Sequence, residues 1–229
     1  MTVPRGRLLT DDMFQADLPR AVLGFVGVHL GLRAEAAHIG RLLADGDRPG
    51  ATRRAELLAT VLHHHHRAED TVLFPALADR LPGAATSTVE LERQHVELDA
   101  VLGRLAKDVN DADEVAMARD VLDRHLVAEE AHVLPMWLTA FTAAEHERFA
   151  ARLRRSTPLR DAGLMIAWLL DTAPNGAEDV AWSQVPPALR LMHRVWWRPR
   201  YERAFGRMDG AVVSWPGLAA PAMAMRMAS

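Results

Sequence analysis

Two segments of the 229-residue chain carry the same arrangement of a histidine and a carboxylate. His65-His66-Arg67-Ala68-Glu69-Asp70-Thr71-Val72-Leu73-Phe74-Pro75 aligns without gaps on His125-Leu126-Val127-Ala128-Glu129-Glu130-Ala131-His132-Val133-Leu134-Pro135, so both copies read H-x-x-A-E-[DE]-x-x-[VL]-[FL]-P. Residues four apart on a helix lie one above the other on one face, so each imidazole and carboxylate can converge on a common point. In both copies that face is also the apolar stripe. A buried carboxylate without a partner costs several kcal/mol, so a Glu at a core position calls for a proton, a cation or a metal. Two such pairs in one chain point to metal chemistry.

Elements must hold these residues at one level. A 3.6-residue apolar period runs through most of the first 150 or so residues and strand-like alternation is hard to find, which predicts an all-α fold. A first helix is predicted from near Pro19 to before Gly46, with Val22, Phe25, His29, Leu32 and Ile39 on its stripe. A second follows Asp47, with Pro49 suited to its first turn, and stops at Leu81-Pro82-Gly83. A third opens at Ser87, with Glu90 in the capping-box position, and carries Leu91, His95, Leu98 and Leu102. A fourth follows Asp111, with Glu114 in the matching position, and carries Leu122, His125, Glu129 and Val133. Short connections make an up-down-up-down antiparallel four-helix bundle the simplest topology.

Thr142 and Glu145 predict a further helix to about Arg155, and Thr157-Pro158 marks a boundary. The chain therefore divides into a bundle over residues 1–156, a helical C-terminal extension packed on it over 157–209, and a tail over 210–229. Within the extension, helices are predicted over 159–170 and 187–205, separated by Pro174-Asn175-Gly176, with a kink at Pro199. Trp168, Trp182, Trp196 and Trp197 suit a cap over the open end of the bundle, because aromatic residues usually bury. A surface for a protein partner is the other reading. The tail, with Met223, Met225 and Met227, has no sustained period and fits either a disordered segment or one lying on the bundle.

The remaining two bundle helices each place one histidine on the stripe, His29 and His95. Counting from the shared turns, His29 lies about 15 residues before one helix ends and His65 about 15 after the next begins, both roughly 22 Å from the turn. His95 and His125 match in the same way. Four imidazoles and two carboxylates in one layer exceed the needs of a tetrahedral zinc, and the N/O mixture suits iron or manganese. The expected cofactor is two iron ions bridged by Glu69 and Glu129, with His29 and His65 favouring one ion and His95 and His125 the other. Which histidine serves which ion stays open, and manganese or zinc can occupy the same groups. Around this set, His66 is expected to help orient a ligand and neighbours Asp70 at i+4. Asp70 and Glu130 recur at one motif position and either accept from ligand histidines or face solvent. Asp99 has three readings: an extra ligand, a base that orients His95, or a solvated residue. His63 and His64 point away from the stripe, and His38, His132, His146 and His193 fit surface or local packing.

The pattern His29, His65-x-x-x-Glu69, His95, His125-x-x-x-Glu129, with its Phe74-Pro75 and Leu134-Pro135 endings, resembles the hemerythrin-like (HHE cation-binding) family over roughly residues 20–140. The resemblance implies an up-down four-helix bundle around a non-haem di-iron centre. Members of the family include oxygen carriers, oxygen or iron sensors, and proteins that handle peroxide or nitric oxide. Two departures bear on role. Oxygen carriers have a further histidine one turn after the third-helix ligand, where this chain has Asp99, and their fourth-helix carboxylate stands one residue further from its histidine than Glu129 does from His125. Both argue against simple reversible oxygen carriage.

Composition narrows the rest. The chain is 49% hydrophobic and 25% charged, with 27 Lys+Arg against 30 Asp+Glu, an ordinary globular balance. The absence of cysteine excludes disulfides, iron–sulfur clusters, thiolate zinc sites and cysteine nucleophiles. It also counts against relatives that repair iron–sulfur clusters through a cysteine-bearing segment. Mild acidity gives no footprint for nucleic acid, apart from a local basic patch at Arg152, Arg154 and Arg155. The longest apolar stretch, 162–170, is far shorter than the ~20 residues of a bilayer span. Asp11, Asp12 and Asp17 stand where a signal peptide is apolar, which predicts a cytoplasmic protein without membrane contact. No nucleophile constellation or phosphate loop suggests an enzyme class. The expected function is binding of, or reaction with, a small oxidant such as dioxygen, peroxide or nitric oxide. The alternative is an iron or redox sensor, in which metal occupancy orders the bundle or extension for a partner.

Overall fold

The computed structural model describes residues 18–156, 158–173 and 178–208. The boundary residue Thr157, the Pro174-Asn175-Gly176 turn and the 210–229 tail lie outside them. Among the described residues there is no strand, and no helix is long and apolar enough to cross a membrane. The α-helices are α1 (Arg20–Ala44), α2 (Arg48–Ala68), α3 (Phe74–Ala78), α4 (Ala84–Leu105), α5 (Ala112–Ala140), α6 (Ala143–Ser156), α7 (Leu159–Asp171), α8 (Glu178–Gln184), α9 (Pro187–Met192) and α10 (Arg198–Phe205). Single π-helical turns at Glu69–Leu73 and His193–Trp197 join α2 to α3 and α9 to α10.

Side-chain chemistry marks the starts of α2, α5 and α6. The Asp47 carboxylate accepts from the Gly50 N–H at 2.9 Å and opens α2, and Asp111 accepts from the Asp113 N–H at 2.9 Å and opens α5. At α6 the Glu145 carboxylate accepts from both the Thr142 N–H and its hydroxyl, each at 2.8 Å, so only the glutamate half of the box forms. The third long helix departs from the Ser87 start. It begins at Ala84, behind Gly83 at φ 90°, a conformation that glycine adopts without a Cβ penalty. Ser87 then lies inside the helix, and Glu90 pairs with Arg93 at 2.6 Å instead of capping.

Both π turns precede a proline by two residues. Proline lacks an N–H and its ring crowds the carbonyl four residues back, here Thr71 for Pro75 and Val195 for Pro199, and a widened turn relieves both. Pro135 sits within α5 without one. The two copies of the repeat therefore differ in backbone: the chain is π-helical at Glu69 and α-helical through Glu129.

The four long helices touch in cyclic order, with α1 and α4 each packed on both α2 and α5. Two apolar clusters divide them. One takes Leu32 and Ile39 of α1, Leu58 and Leu62 of α2, Leu98 and Leu102 of α4, and Leu122 and Leu126 of α5. The other takes Val22 and Phe25 of α1, Leu73 and Phe74 after α2, Leu91 of α4, and Val133 and Trp137 of α5. The histidines and glutamates of the motif fall at the boundary between these sets, with His29, His65, Glu69, His95 and Glu129 between them in sequence and His125 beside Leu126.

The helices after α5 pack against α1 and α2. Helices α6, α7 and α8 pack on α1, and α10 packs on α2 and α7. Gly31 permits the approach, since a Cβ there would stand 2.7 Å from the Trp168 ring. Arg54, fully buried, ties the layers together. Its guanidinium donates to Glu35 at 3.2 Å, the Tyr201 hydroxyl at 2.9 Å, Asp171 at 3.2 Å and the Gly206 carbonyl at 3.2 Å. The Trp168 indole N–H donates to Glu35 at 3.0 Å, and the Tyr201 hydroxyl donates to Asp171 at 3.0 Å. Burial pushes Glu35 up to about 7, although Arg54 and Trp168 pull the other way.

Removing the cation leaves two carboxylates without their counter-charge. Arg54→Met should cost about 3–5 kcal/mol in denaturant unfolding. Glu35→Gln should cost clearly less, because the amide oxygen still accepts from Trp168. A Glu35 pKa raised in the folded state contributes stability that is present below its ordinary value of 4.5 and is lost as pH rises through about 7. The Arg54→Met penalty should therefore grow between pH 5 and pH 8 in thermal melts. A pH-independent penalty would contradict this account.

Candidate metal centre

His29 from α1, His65 and His66 from α2, Glu69 from the π turn, His95 from α4, and His125 and Glu129 from α5 all point inward, none more than 9% exposed. Glu129 stands among them. Its Oε1 is 3.1 Å from His95 Nε2 and 3.2 Å from His125 Nε2, while its Oε2 is 3.4 Å from His29 Nε2. Glu69 Oε2 lies 3.5 Å from His65 Nε2 and 3.7 Å from His95 Nε2. The Nε2 atoms of His29 and His65 are 3.1 Å apart. Two groups result, His29, His65, Glu69 and Glu129, and His66, His95 and His125. Within each, one ligand atom per residue lies within 4.8 Å of the others.

Both Glu69 oxygens, Glu129 Oε2, His66 Nε2 and His125 Nε2 are buried without a hydrogen-bond partner. An unmet buried polar atom costs about 1–3 kcal/mol, so several converging on one volume fit a metal ion there.

The opposite nitrogen of four of these rings is anchored. His29 Nδ1 donates to Glu130 at 2.9 Å, His66 Nδ1 to Asp99 at 2.9 Å, His95 Nδ1 to Asp70 at 2.8 Å, and His125 Nδ1 to the Gln94 side-chain oxygen at 3.1 Å. Such bonds set the tautomer and leave Nε2 as the inward donor to a metal. Asp70 and Glu130, the matched motif carboxylates, thus each grip a histidine from a neighbouring helix. Glu130 is gripped in turn by Arg33 at 2.6 Å, and Arg33 by Asp123 at 2.7 Å.

Several placements differ from those read in the sequence. His66 does not pair with Asp70; its Nε2 joins His95 and His125, and its ring stacks on His95 at 3.9 Å. Successive helix residues diverge by about 100°, so on α2, between α1 and α4, His65 faces His29 and His66 faces His95. Asp99 accepts from His66, and from His63 at 3.2 Å, rather than from His95. His64 lies 3.5 Å from Asp161, away from the centre. His146 and His193 are buried in local packing. Gln94 and Arg33 lie outside the repeat, although each has a signal in the sequence: Gln94 precedes a ligand-type histidine, and Arg33 follows another by one turn.

Burial and neighbouring charge pull the site in opposite directions. Burial lowers His29, but Glu129 and Glu130 outweigh it and hold the ring above its ordinary value. Burial likewise opposes the charge on His95, yet Asp70 and Glu129 bring it up to about 9. Burial and the nearby His29 drive His65 well down, and burial takes His66 to about 4 despite Asp99. Burial and Glu129 raise Glu69 well above the carboxylate range. Burial of Glu129 is outweighed by His125, His29 and His95, which hold it well below that range.

With this geometry established, comparison with known proteins gives a family. Residues 24–137 match the family model described as the Hemerythrin HHE cation binding domain, and through this segment the chain belongs to the hemerythrin family. No curated protein and no solved structure was found to match the chain. Membership implies binding of metal ions, typically iron, and the His and Glu groups converge as ligands for a metal would.

Without metal, protons on His29, His95 and Glu69 occupy positions that a metal must take, because ligands bind deprotonated. Metal uptake near pH 7 should therefore release protons, and apparent affinity should fall as pH is lowered. Calorimetric titration in two buffers of different ionisation heat measures the release. Identical heats in both would contradict the assignment.

Proposed function

We propose that the chain is a non-haem di-iron protein that binds or reacts with dioxygen, peroxide or nitric oxide at the His29, His65, His66, His95, His125, Glu69 and Glu129 set. The observation that carries this reading is Glu129, which presents one oxygen to each histidine group, as a carboxylate bridging two ions must. Glu69, whose Oε2 lies near both His65 and His95, would be the second carboxylate to hold the pair. The four long helices are read as an up-down-up-down bundle. In support, one apolar cluster combines the later residues of α1 and α4 with α2 and the earlier residues of α5, and the other combines the earlier residues of α1 and α4 with the segment after α2 and the later residues of α5.

When bound, an iron pair supplies open coordination positions and redox chemistry for a small exogenous ligand. The protein's own residues do the rest. Glu130, Asp99, Asp70 and Gln94 fix imidazole orientation, Arg33 fixes Glu130, and the two apolar clusters keep bulk water from the layer. A cleft of about 240 Å³ between α4 and α5, lined by Arg93, Gln94 and Arg124, reaches His125 and offers a small polar oxidant a way in.

One observation favours sensing as the second reading. His29 and Glu35 share α1, so the helix that would carry a ligand also carries the residue that ties down the extension through Arg54 and Trp168. Metal-dependent protease resistance of the extension without turnover would support that reading.

Elemental analysis after anaerobic Fe(II) loading should find about two irons per chain, and exposure to air should produce an oxo-bridge-type charge-transfer band. His29→Ala and His66→Ala should each lose about one of the two ions, whereas Glu129→Ala should lose most of both. Peroxide consumption by the loaded protein should vanish in Glu69→Ala and Glu129→Ala. Well below one iron per chain, or tightly held zinc without response to air, would reject the di-iron reading.

A further inference from the structure

A chamber of about 440 Å³ lies between the α1–α2 flank and the extension. Phe25 and Val28 of α1, Trp137 of α5, and Met165, Ile166 and Leu169 of α7 form its apolar walls. His65 and Glu69 also line it, so it adjoins the candidate metal centre. Phe25 stands at the junction, its ring 4.0 Å from that of His29 and 5.6 Å from that of His65. At ~30 Å³ per water-sized group, the space corresponds to about fifteen such groups, far more than a diatomic gas or peroxide fills. It falls within the roughly 300–1,000 Å³ of small-molecule sites, and its apolar walls suit an organic occupant better than water.

The polar groups of the lining define the other end of that occupant. Glu69 and His65 belong to the metal-centre layer, and His64 is 3.5 Å from Asp161. Arg155 of α6 is the permanent cation of the lining and is exposed to solvent. We infer that the chamber binds an organic amphiphile of about ten to fifteen heavy atoms, with its apolar body between α1 and α7 and one anionic head paired with Arg155. This goes beyond small-oxidant chemistry. It places an organic molecule beside His65 and Glu69, and it requires no metal for binding.

Decanoic acid is the probe, with decanol as its neutral counterpart, titrated calorimetrically into the full metal-free chain. About one decanoate per chain should bind saturably. Ile166→Trp, which fills the chamber, should weaken both ligands by about tenfold or more, and Val28→Phe should act in the same direction from the opposite wall. Circular dichroism of each variant confirms that it is folded. Arg155→Ala should weaken the acid about threefold to fivefold, as expected for an exposed ion pair, and leave decanol unchanged. Absence of saturable binding, or binding indifferent to both filling variants, would overturn the proposal. So would equal effects of Arg155→Ala on acid and alcohol. Because the protein is metal-free, failure of the di-iron reading would leave these results untouched, and their failure would leave that reading untouched.

Discussion

Glu129 is fully buried, yet the histidines around it hold it ionised. An ion out of water must recover several kcal/mol locally, and the consequences of that requirement spread through the fold. His29, His95 and His125 come from three helices to meet the carboxylate, and each turns Nε2 inward to do so. Their Nδ1 atoms then face outward and need acceptors, which Glu130, Asp70 and Gln94 provide. Glu130 is itself buried, so it draws in Arg33, and Arg33 reaches the half-exposed Asp123. The chain of partners runs from the centre of the helix ring to solvent, and each member exists because the previous one could not remain unpaired.

A ring of helices suits such a layer. Side chains on packed helices have few rotamers available, and the apolar clusters above and below fix the height of every ligand group. The extension meets the same physical problem a second time. Glu35 and Asp171 are carboxylates withdrawn from solvent, and Arg54 serves both while Tyr201 and Trp168 complete the network. Because Glu35 and His29 lie on one helix, the two buried-charge systems share α1 as a common support.

The four long helices and the level of His29, His65, His95 and His125 were legible because both rest on periodicity and counting, which depend little on tertiary detail. The gapless repeat singled out Glu69 and Glu129 for the same reason. The repeat left His66 as a residue that orients a ligand rather than a member of the inward group, since the second copy has Leu126 at that position and the symmetry pointed to one inward histidine per helix. Only the packing of α2 against two neighbours shows that consecutive histidines can serve different partners. Ser87 carried a sound capping signature, but Gly83 offered a left-handed start four residues earlier and the helix took it. The π turn at Glu69 precedes Pro75, yet Pro135 in the matched position has none, so the proline alone did not decide it. Arg54 and Tyr201 are 147 positions apart, and no pattern along the chain pairs them.

The two sides of the candidate centre are chemically unlike. His29 and His65 have both carboxylates within reach, and the adjoining space is apolar, walled by Phe25, Trp137 and the α7 residues. His66, His95 and His125 form a second group, which Glu129 reaches with its other oxygen, and the cleft that reaches His125 is polar, lined by Arg93, Gln94, Glu97 and Arg124. The two sides therefore differ in surroundings more than in donor types. The His125 side, next to the polar cleft, is the one suited to a small polar ligand, whereas the His65 side adjoins a mainly apolar volume. The repeat that generates the site is symmetric in sequence, but the extension, covering one flank and not the other, makes its two approaches different.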